Sequence, residues 1–206
     1  MDEETLNIAR VLPRSAVNGP GERFVIWVQG CTLHCGGCWN PDTWHTRPKT
    51  LVRALDLAET ILATPGVEGI TLTGGEPFEQ AARLIPLVEH VRAAGLSVMA
   101  FTGYELGELD ERGQRALLEL CDLVVSGRYR QDRRTLASPW RGSANQTVHY
   151  LTERYRPLPA LESPECEIHI THDGTLTLTG FPPQALIRFN ADPVKDENGP
   201  GADDCL

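Results

Sequence analysis

No stretch of this chain approaches the roughly 18 consecutive apolar residues that a membrane span requires. The opening residues, Met1-Asp-Glu-Glu-Thr5, carry neither the basic region nor the apolar run of a secretory signal. These absences predict a cytoplasmic protein, in a compartment where thiols stay reduced. Positive charge is scarce as well. Nineteen Lys and Arg stand against 28 Asp and Glu, a net charge of −9, which argues against general binding to nucleic acid or membrane. What remains is ordinary for a soluble globular protein: 41% hydrophobic and 23% charged residues in 206, enough for one domain with its own core.

The charge is unevenly spread. Seven arginines (128, 130, 133, 134, 141, 154 and 156) lie between Arg128 and Arg156, against Asp132 and Glu153. They read as a solvated loop and strand; a docking surface for an acidic partner is the alternative. From Asn190 to Leu206 one lysine faces five carboxylates.

The most specific feature is the run from Gly30 to Trp39, which holds Cys31, Cys35 and Cys38 in a C-x3-C-x2-C spacing. Three thiolates so close can wrap one compact metal centre. Ordinary four-cysteine ferredoxin sites use other spacings and leave no iron open. Three ligands on a four-iron cluster leave one iron free, and an open position separates a reactive metal site from a structural one. A zinc site with His34 or His45 as fourth ligand is the alternative. Cys121 reads as a small core residue, and Cys166 and Cys205 form no motif.

Strand-like and helical patterns alternate. Phe24–Gln29 reads as a strand that delivers into the cysteine loop. Leu51, Val52, Leu55, Ala58, Ile61 and Leu62 recur at helical spacing, with Thr50 as N-cap and Pro65-Gly66 as the stop. Gly69–Thr73 is a second strand. A helix over Phe78–Ala94 turns Leu84, Leu87, Val88 and Val91 inward, ends at Gly95 and is kinked by Pro86. A strand at Leu96–Phe101, a helix at Leu106–Leu120, a strand at Asp122–Val125 and a fifth strand at Val148–Leu151 follow. The alternation predicts an α/β fold with a parallel sheet covered by helices, ligands binding at the carboxyl ends of its strands. Cys31–Cys38, Gly74-Gly75-Glu76 and Thr102-Gly103-Tyr104 each follow a strand and gather on one rim. Beyond Leu151 the style changes. Arg156-Pro-Leu-Pro159 reads as a linker, Glu167–Thr179 as a hairpin turning at Asp173-Gly174, and the tail as disordered.

Gly74 and Gly75 let a ligand approach the backbone, and Glu76 offers a carboxylate to an ammonium group. With the three cysteines, this Gly-Gly-Glu element resembles that of the radical S-adenosylmethionine (SAM) enzymes. Val17-Asn-Gly-Pro-Gly21, the cysteine loop with Trp39-Asn-Pro-Asp-Thr-Trp44, Phe101-Thr-Gly-Tyr104 and Trp140-Arg-Gly-Ser-Ala-Asn-Gln146 narrow the likeness. From about Ile8 to Leu151 the chain is similar to the activating proteins of anaerobic ribonucleoside-triphosphate reductases, which are glycyl-radical activases.

The resemblance implies an open, partial (β/α) barrel; with the hairpin read from the alternation beyond it, the chain divides into a radical SAM core over 1–152 and a C-terminal extension over 153–206. It implies a 4Fe-4S cluster on Cys31, Cys35 and Cys38, and SAM held by Gly74, Gly75, Glu76, Thr102 and Ser126. No catalytic side chains beyond cluster and SAM are implied. The partners would be a glycyl-radical enzyme and a flavodoxin- or ferredoxin-like electron donor. Reductive cleavage of SAM would give a 5′-deoxyadenosyl radical that takes hydrogen from a glycine Cα. Two departures stand out. Relatives often carry an acid where this chain has Ser126, and the chain runs past the family's usual end to Leu206. The added hairpin reads as a docking element, a lid or a sheet-edge cover. Trp39 and Trp44 read as core aromatics or adenine-stacking groups, and Arg141, Asn145 and Gln146 as turn residues or ligand contacts. Two other functions fit the residues: a radical SAM enzyme that modifies a peptide or small molecule, and a non-catalytic iron-sulfur or zinc sensor or scaffold.

Overall fold

The computed structural model describes residues 5–135, 139–156, 166–170, 172, 174 and 176–181. Residues Pro157–Pro159 of the expected linker, the turn residue Asp173, Cys205 and the acidic tail lie outside them. Among the described residues seven strands form one sheet: β1 (Thr5–Ser15), β2 (Arg23–Val28), β3 (Thr50–Arg53), β4 (Gly69–Gly74), β5 (Ser97–Phe101), β6 (Leu123–Ser126) and β7 (Thr147–Tyr150). Their order is β3-β1-β2-β4-β5-β6-β7. The central strands β2, β4, β5 and β6 run parallel. β1, β3 and β7 are antiparallel to their neighbours, so the sheet is mixed where a parallel one was expected.

Three helices cross between the strands: α1 (Ala54–Leu62), α2 (Ala81–Ala93) and α3 (Arg112–Glu119). Strand residues alternate between the two faces of the sheet. Phe24, Ile26, Val28, Ile70, Leu72, Val98, Ala100 and Val124 turn to one face. There they form a single core with Leu57 and Ile61 of α1, Leu84, Leu87, Val88 and Val91 of α2, and Leu117 of α3. The other face carries two smaller clusters, one around Val25 and Trp27, the other around Met99, Leu123, Val125 and Trp140.

The inward face expected for α2 is the buried one, and Gly95 ends the helix at φ +87, where its N–H and that of Leu96 cap the last carbonyls. The assigned helix runs on through Pro86. Elsewhere the boundaries differ. Thr50 is no N-cap: Thr50–Arg53 pairs with Thr5–Ile8 as a strand, and α1 starts behind Arg53. The expected helix from Leu106 shrinks to a 3-10 turn and then α3, because Glu111 and Gln114 form a capping box that restarts the chain at Arg112. The helix expected from Phe78 likewise opens as a 3-10 turn over Pro77–Gln80. β1 was not expected at all. Pro13 falls in its second register irregularity, where a strand tolerates a missing donor.

At the amino ends of the parallel strands, Arg23 is fully buried. It donates to Thr71 Oγ1 (3.2 Å), to the Ser97 hydroxyl, to the Ile70 carbonyl and to Tyr155 Oη (3.3 Å). Burial lowers its pKa from the usual guanidinium value. The hairpin expected near residue 174 is present as β8 (Cys166–Ile170) and β9 (Leu176–Gly180). Among the described residues no helix is long and apolar enough to cross a membrane.

Leu84 has no exposed surface and stands at the centre of the α2 contact with the sheet. Leu84→Ala is expected to lower unfolding free energy by about 2–5 kcal/mol, read from urea midpoints.

Candidate functional site

The carboxyl ends of β2, β4, β5 and β6 lie side by side, and each expected loop leaves from one of them. After β2, Gly30 turns at φ +109, its N–H donating to Thr43 O (2.7 Å), while Cys31 N donates to Trp44 O (3.1 Å). These two bonds close residues 31–44 into a compact loop. All three of its cysteines are free thiols; Cys31 is buried and Cys35 and Cys38 are half-buried.

Each sulfur faces a backbone N–H. Those of Leu33 and His34 approach Cys31, that of Tyr129 approaches Cys35, and Asn40 N lies 3.4 Å from Cys38 Sγ. Burial outweighs these donors in the free thiols, pushing Cys31 up to about 11 and raising Cys35. A metal centre reverses the balance by displacing the protons, after which the same N–H groups stabilise the thiolates. The donor set of three soft sulfurs with N–H support therefore fits an iron-sulfur cluster. Among the described residues no three His, Cys, Asp or Glu side chains are gathered tightly enough for a single ion. His34, held at φ +44, stacks on Trp44 with ring centroids 4.9 Å apart.

The Gly-Gly turn after β4 is pressed against the start of the cysteine loop. Gly75 N donates to Val28 O and Glu76 N to Gly30 O, both at 2.8 Å. A Cβ on Gly75 would sit 2.2 Å from Gly30 O, and one on Gly74 would sit 2.6 Å from Trp27 Cα. The close approach these glycines allow is thus made by the protein's own backbone. Glu76 is 1% exposed and its carboxylate is held by three donors. It accepts from Phe78 N (3.0 Å), Thr102 Oγ1 (2.9 Å) and Gly103 N (2.8 Å). Burial raises its pKa to about 7 against these donors. Glu76 and Thr102 therefore tie two strand ends together. Ser126 is buried one strand further along, where its hydroxyl shares a hydrogen bond with His149 Nε2 (2.9 Å) and lies 3.5 Å from Glu105 Oε2.

Several anchoring residues were not expected. Glu79 accepts from Thr32 N (2.9 Å), from the Thr32 hydroxyl and from Tyr104 Oη (3.3 Å), pinning the cysteine loop to the turn behind Glu76. Gln80 is buried. Its Oε1 accepts from Asn7 N (2.9 Å), and its Nε2 donates to Asn7 O and Gln29 O (3.0 Å each). The sequence signal was two polar side chains, Glu79 and Gln80, in a segment otherwise patterned for burial. Arg141, Asn145 and Gln146 organise their own loop: Gln146 Oε1 accepts from Gly142 N (2.9 Å) and its Nε2 donates to Gly127 O (3.0 Å). Arg128 and Arg130 are exposed and paired with Glu108 and Asp132, as a solvated stretch would be. Cys121 is buried in the core, its thiol pushed up to about 12 by burial.

On the helix-free face of the sheet lies a cavity of about 990 Å³. Trp27, Thr73 and Phe101 line it from the strands, Cys38 from the cysteine loop, and Tyr129 and Trp140 from the segment after β6. Trp39 also lines it, with the Arg134 guanidinium 4.9 Å from its ring centre and the edges of Tyr129 and Phe181 against it.

The folded protein holds the Glu76 proton more tightly than the unfolded chain. The stability this provides is present below pH 4.5 and lost as pH rises through about 7. Urea unfolding over this range is expected to show that decline, and Glu76→Gln to remove it while lowering stability at low pH. At Gly36 an added Cβ meets nothing within 4 Å, unlike at Gly75. Gly75→Ala is expected to abolish iron and sulfide uptake and Gly36→Ala to retain it, measured as iron per chain after anaerobic reconstitution.

Comparison with known proteins agrees with this geometry. The family model for a 4Fe-4S single cluster domain matches residues 17–149. The anaerobic ribonucleoside-triphosphate reductase-activating protein of Escherichia coli K12 is 34% identical over 157 residues, covering 71% of this chain and 99% of that protein. That of Vibrio cholerae is 34% identical over 158 residues with the same coverage. The protein of that name from phage T4 is 33% identical over 150 residues, covering 69% and 93%. A solved structure, QueE from Escherichia coli, is alike with a TM-score of 0.42 and 20% identity over 48% of this chain and 53% of its own, too remote to argue from. The chain belongs to the family of anaerobic ribonucleoside-triphosphate reductase-activating proteins.

Proposed function

We propose that this protein is a radical SAM activase that generates a glycyl radical on an anaerobic ribonucleoside-triphosphate reductase. The observation that carries the reading is the cysteine loop docked backbone-to-backbone on the Gly-Gly-Glu turn. The relatives add to it, since they carry the activating-protein name over nearly their whole length. In this reading residues 1–152 form a radical SAM core whose sheet curls as an open, partial barrel around the cavity, and residues 153–206 extend it. Cys31, Cys35 and Cys38 would hold a 4Fe-4S cluster, whose fourth iron would be left for SAM. When bound, such a cluster would supply the electron for reductive cleavage of SAM to methionine and a 5′-deoxyadenosyl radical, the species that would take a hydrogen atom from a glycine Cα.

The chain's own residues orient and protect. With a cluster bound, the N–H groups at the three sulfurs would stabilise the thiolates and bear on the potential of the centre. The Glu76 carboxylate already accepts three hydrogen bonds. The ammonium of SAM is received at the Gly74-Gly75-Glu76 turn, where the Glu76 carboxylate has a fourth acceptor site beside the turn's carbonyl oxygens and Thr102 helps hold it in place. Ser126, with His149 and Glu105 behind it, forms the next stretch of wall. Trp27, Phe101, Tyr129 and Trp140 exclude water from the reacting atoms. A flavodoxin- or ferredoxin-like protein of the cytoplasm delivers the electron.

The test is anaerobic reconstitution with iron and sulfide, reduction, addition of SAM and quantification of 5′-deoxyadenosine, with the reductase present and absent. Wild type is expected to form it and Cys35→Ala to stay at background. A glycyl-radical signal is expected on the reductase in electron paramagnetic resonance. A loaded, reducible cluster that yields no product even with the reductase present would instead point to a sensor or scaffold.

A further inference from the structure

Glu79 joins all three loops of the rim. It sits on the 3-10 turn Pro77–Gln80, directly behind Gly74-Gly75-Glu76. Its carboxylate accepts from Thr32 N (2.9 Å to Oε1, 3.3 Å to Oε2) and from the Thr32 hydroxyl, in the cysteine loop. It accepts as well from Tyr104 Oη (3.3 Å), in the loop after β5. Thr32 follows Cys31 in the chain. The bonds from its N–H therefore fix the peptide link that leaves the first candidate ligand.

Packing does not call for a carboxylate here. Glu79 is exposed between buried Phe78 and Gln80. Among the described residues no Lys, Arg or His pairs with it. Neutral donors hold its charge at a defined place beside the cysteine loop. Burial is the largest influence on the free Cys31 thiol, and the charges that act on that sulfur are those of Glu76 and Glu79. At Cys35 burial again dominates, and Arg128 acts in the opposite sense. Arg128 is paired with Glu108 (2.8 and 3.1 Å), so that pair adds little net charge.

A cluster bound at these cysteines makes the charge matter. Its reduction takes one electron from a carrier protein, which is oxidised by one electron, and no proton need follow. That electron adds negative charge to a centre already surrounded by three thiolates. A fixed negative charge beside the centre opposes the addition and lowers its potential. An electron held at lower potential is given up more readily to an acceptor.

We infer that Glu79 is a positioning residue for the iron-sulfur centre, which fixes the peptide at Cys31 through Thr32 and lowers the potential of the bound cluster by its charge. The inference rests on the activase reading only for the presence of that cluster.

The test reads potential and iron retention in the full-length protein, reconstituted anaerobically. Midpoints come from dithionite titration with redox mediators, followed by the electron paramagnetic resonance signal of the reduced cluster. Iron retention is the rate of loss to a chelator. Glu79→Gln keeps a carbonyl oxygen for Thr32 and removes the charge. It is expected to load iron as wild type does and to favour reduction by about threefold to tenfold, tenfold being about 59 mV for one electron. Thr32→Val removes the hydroxyl bond and leaves the charge, so faster iron loss at an unchanged potential is expected. Glu119→Gln removes another exposed carboxylate, at the end of α3 that leads into the amino end of β6, and is expected to change neither readout. A Glu79→Gln potential equal to that of wild type, or an equal shift from Glu119→Gln, would overturn the inference. Failure of Glu79→Gln to take up iron would overturn it too, because the charge would then serve assembly. The activase reading stands or falls separately, on 5′-deoxyadenosine formation by the loaded protein.

Discussion

The site depends on one contact between two backbones. The carbonyl of Gly30 accepts the amide of Glu76, beside the bond from Gly75 to Val28, and no side chain fits between them. β2 and β4 run parallel with Val28 opposite Gly74, so both strands end at the same height. The cysteine loop starts where the Gly-Gly turn starts. Any residue larger than glycine at position 75 would move the thiols relative to the sheet. The rest of the rim is arranged around this fixed point. Thr32 is tied to Glu79, Gln80 to Asn7 and Gln29, and Gln29 in turn to the His45 carbonyl (2.7 Å).

Buried polar groups hold both ends of the parallel sheet, and each is tolerated because its partners are built in. At the carboxyl end Glu76 collects three donors. At the amino end Asp122, 4% exposed, accepts from Val98 N (2.9 Å), Thr152 Oγ1 (2.9 Å) and Arg92 Nη1 (3.2 Å), while Arg23 spans β2, β4 and β5. Burial of an unsatisfied polar group would cost several kcal/mol, of order 1–3 or more per group. These networks avoid that cost and fix the stagger of strand ends that hydrophobic packing alone leaves loose.

The parts of this arrangement that were legible in sequence were those with a short-range signature. Cys31, Cys35 and Cys38 declare themselves by spacing, α2 by Leu84, Leu87, Val88 and Val91, and the hairpin by alternation around Gly174. β1 was not legible, because Pro13 and two register irregularities break its alternation. Thr50–Arg53 reads as helix because Leu51, Val52 and Leu55 keep helical spacing, and only pairing with Thr5–Ile8 makes it a strand. The role of Glu76 depends on Thr102 and Gly103, which the chain brings to it from the next strand. A carboxylate that reads as a ligand group in sequence also serves, in the fold, as a strut between two strand ends. Gathering of the three loops on one rim was legible, since parallel strands joined by helices put their carboxyl ends together.

The hairpin turns its chemistry the opposite way from a core element. Its polar face, with Glu167 and Thr179, meets the protein, and Ile168, Ile170 and Leu176 stay 50% exposed or more on the other side. Water can replace each hydrogen bond that holds it, and apart from the Phe181 ring against Trp39 it shares no apolar cluster with the sheet, so lifting it away leaves the main core intact. Such an attachment is modular. A folded enzyme can acquire it without repacking, shed it, or exchange it for another.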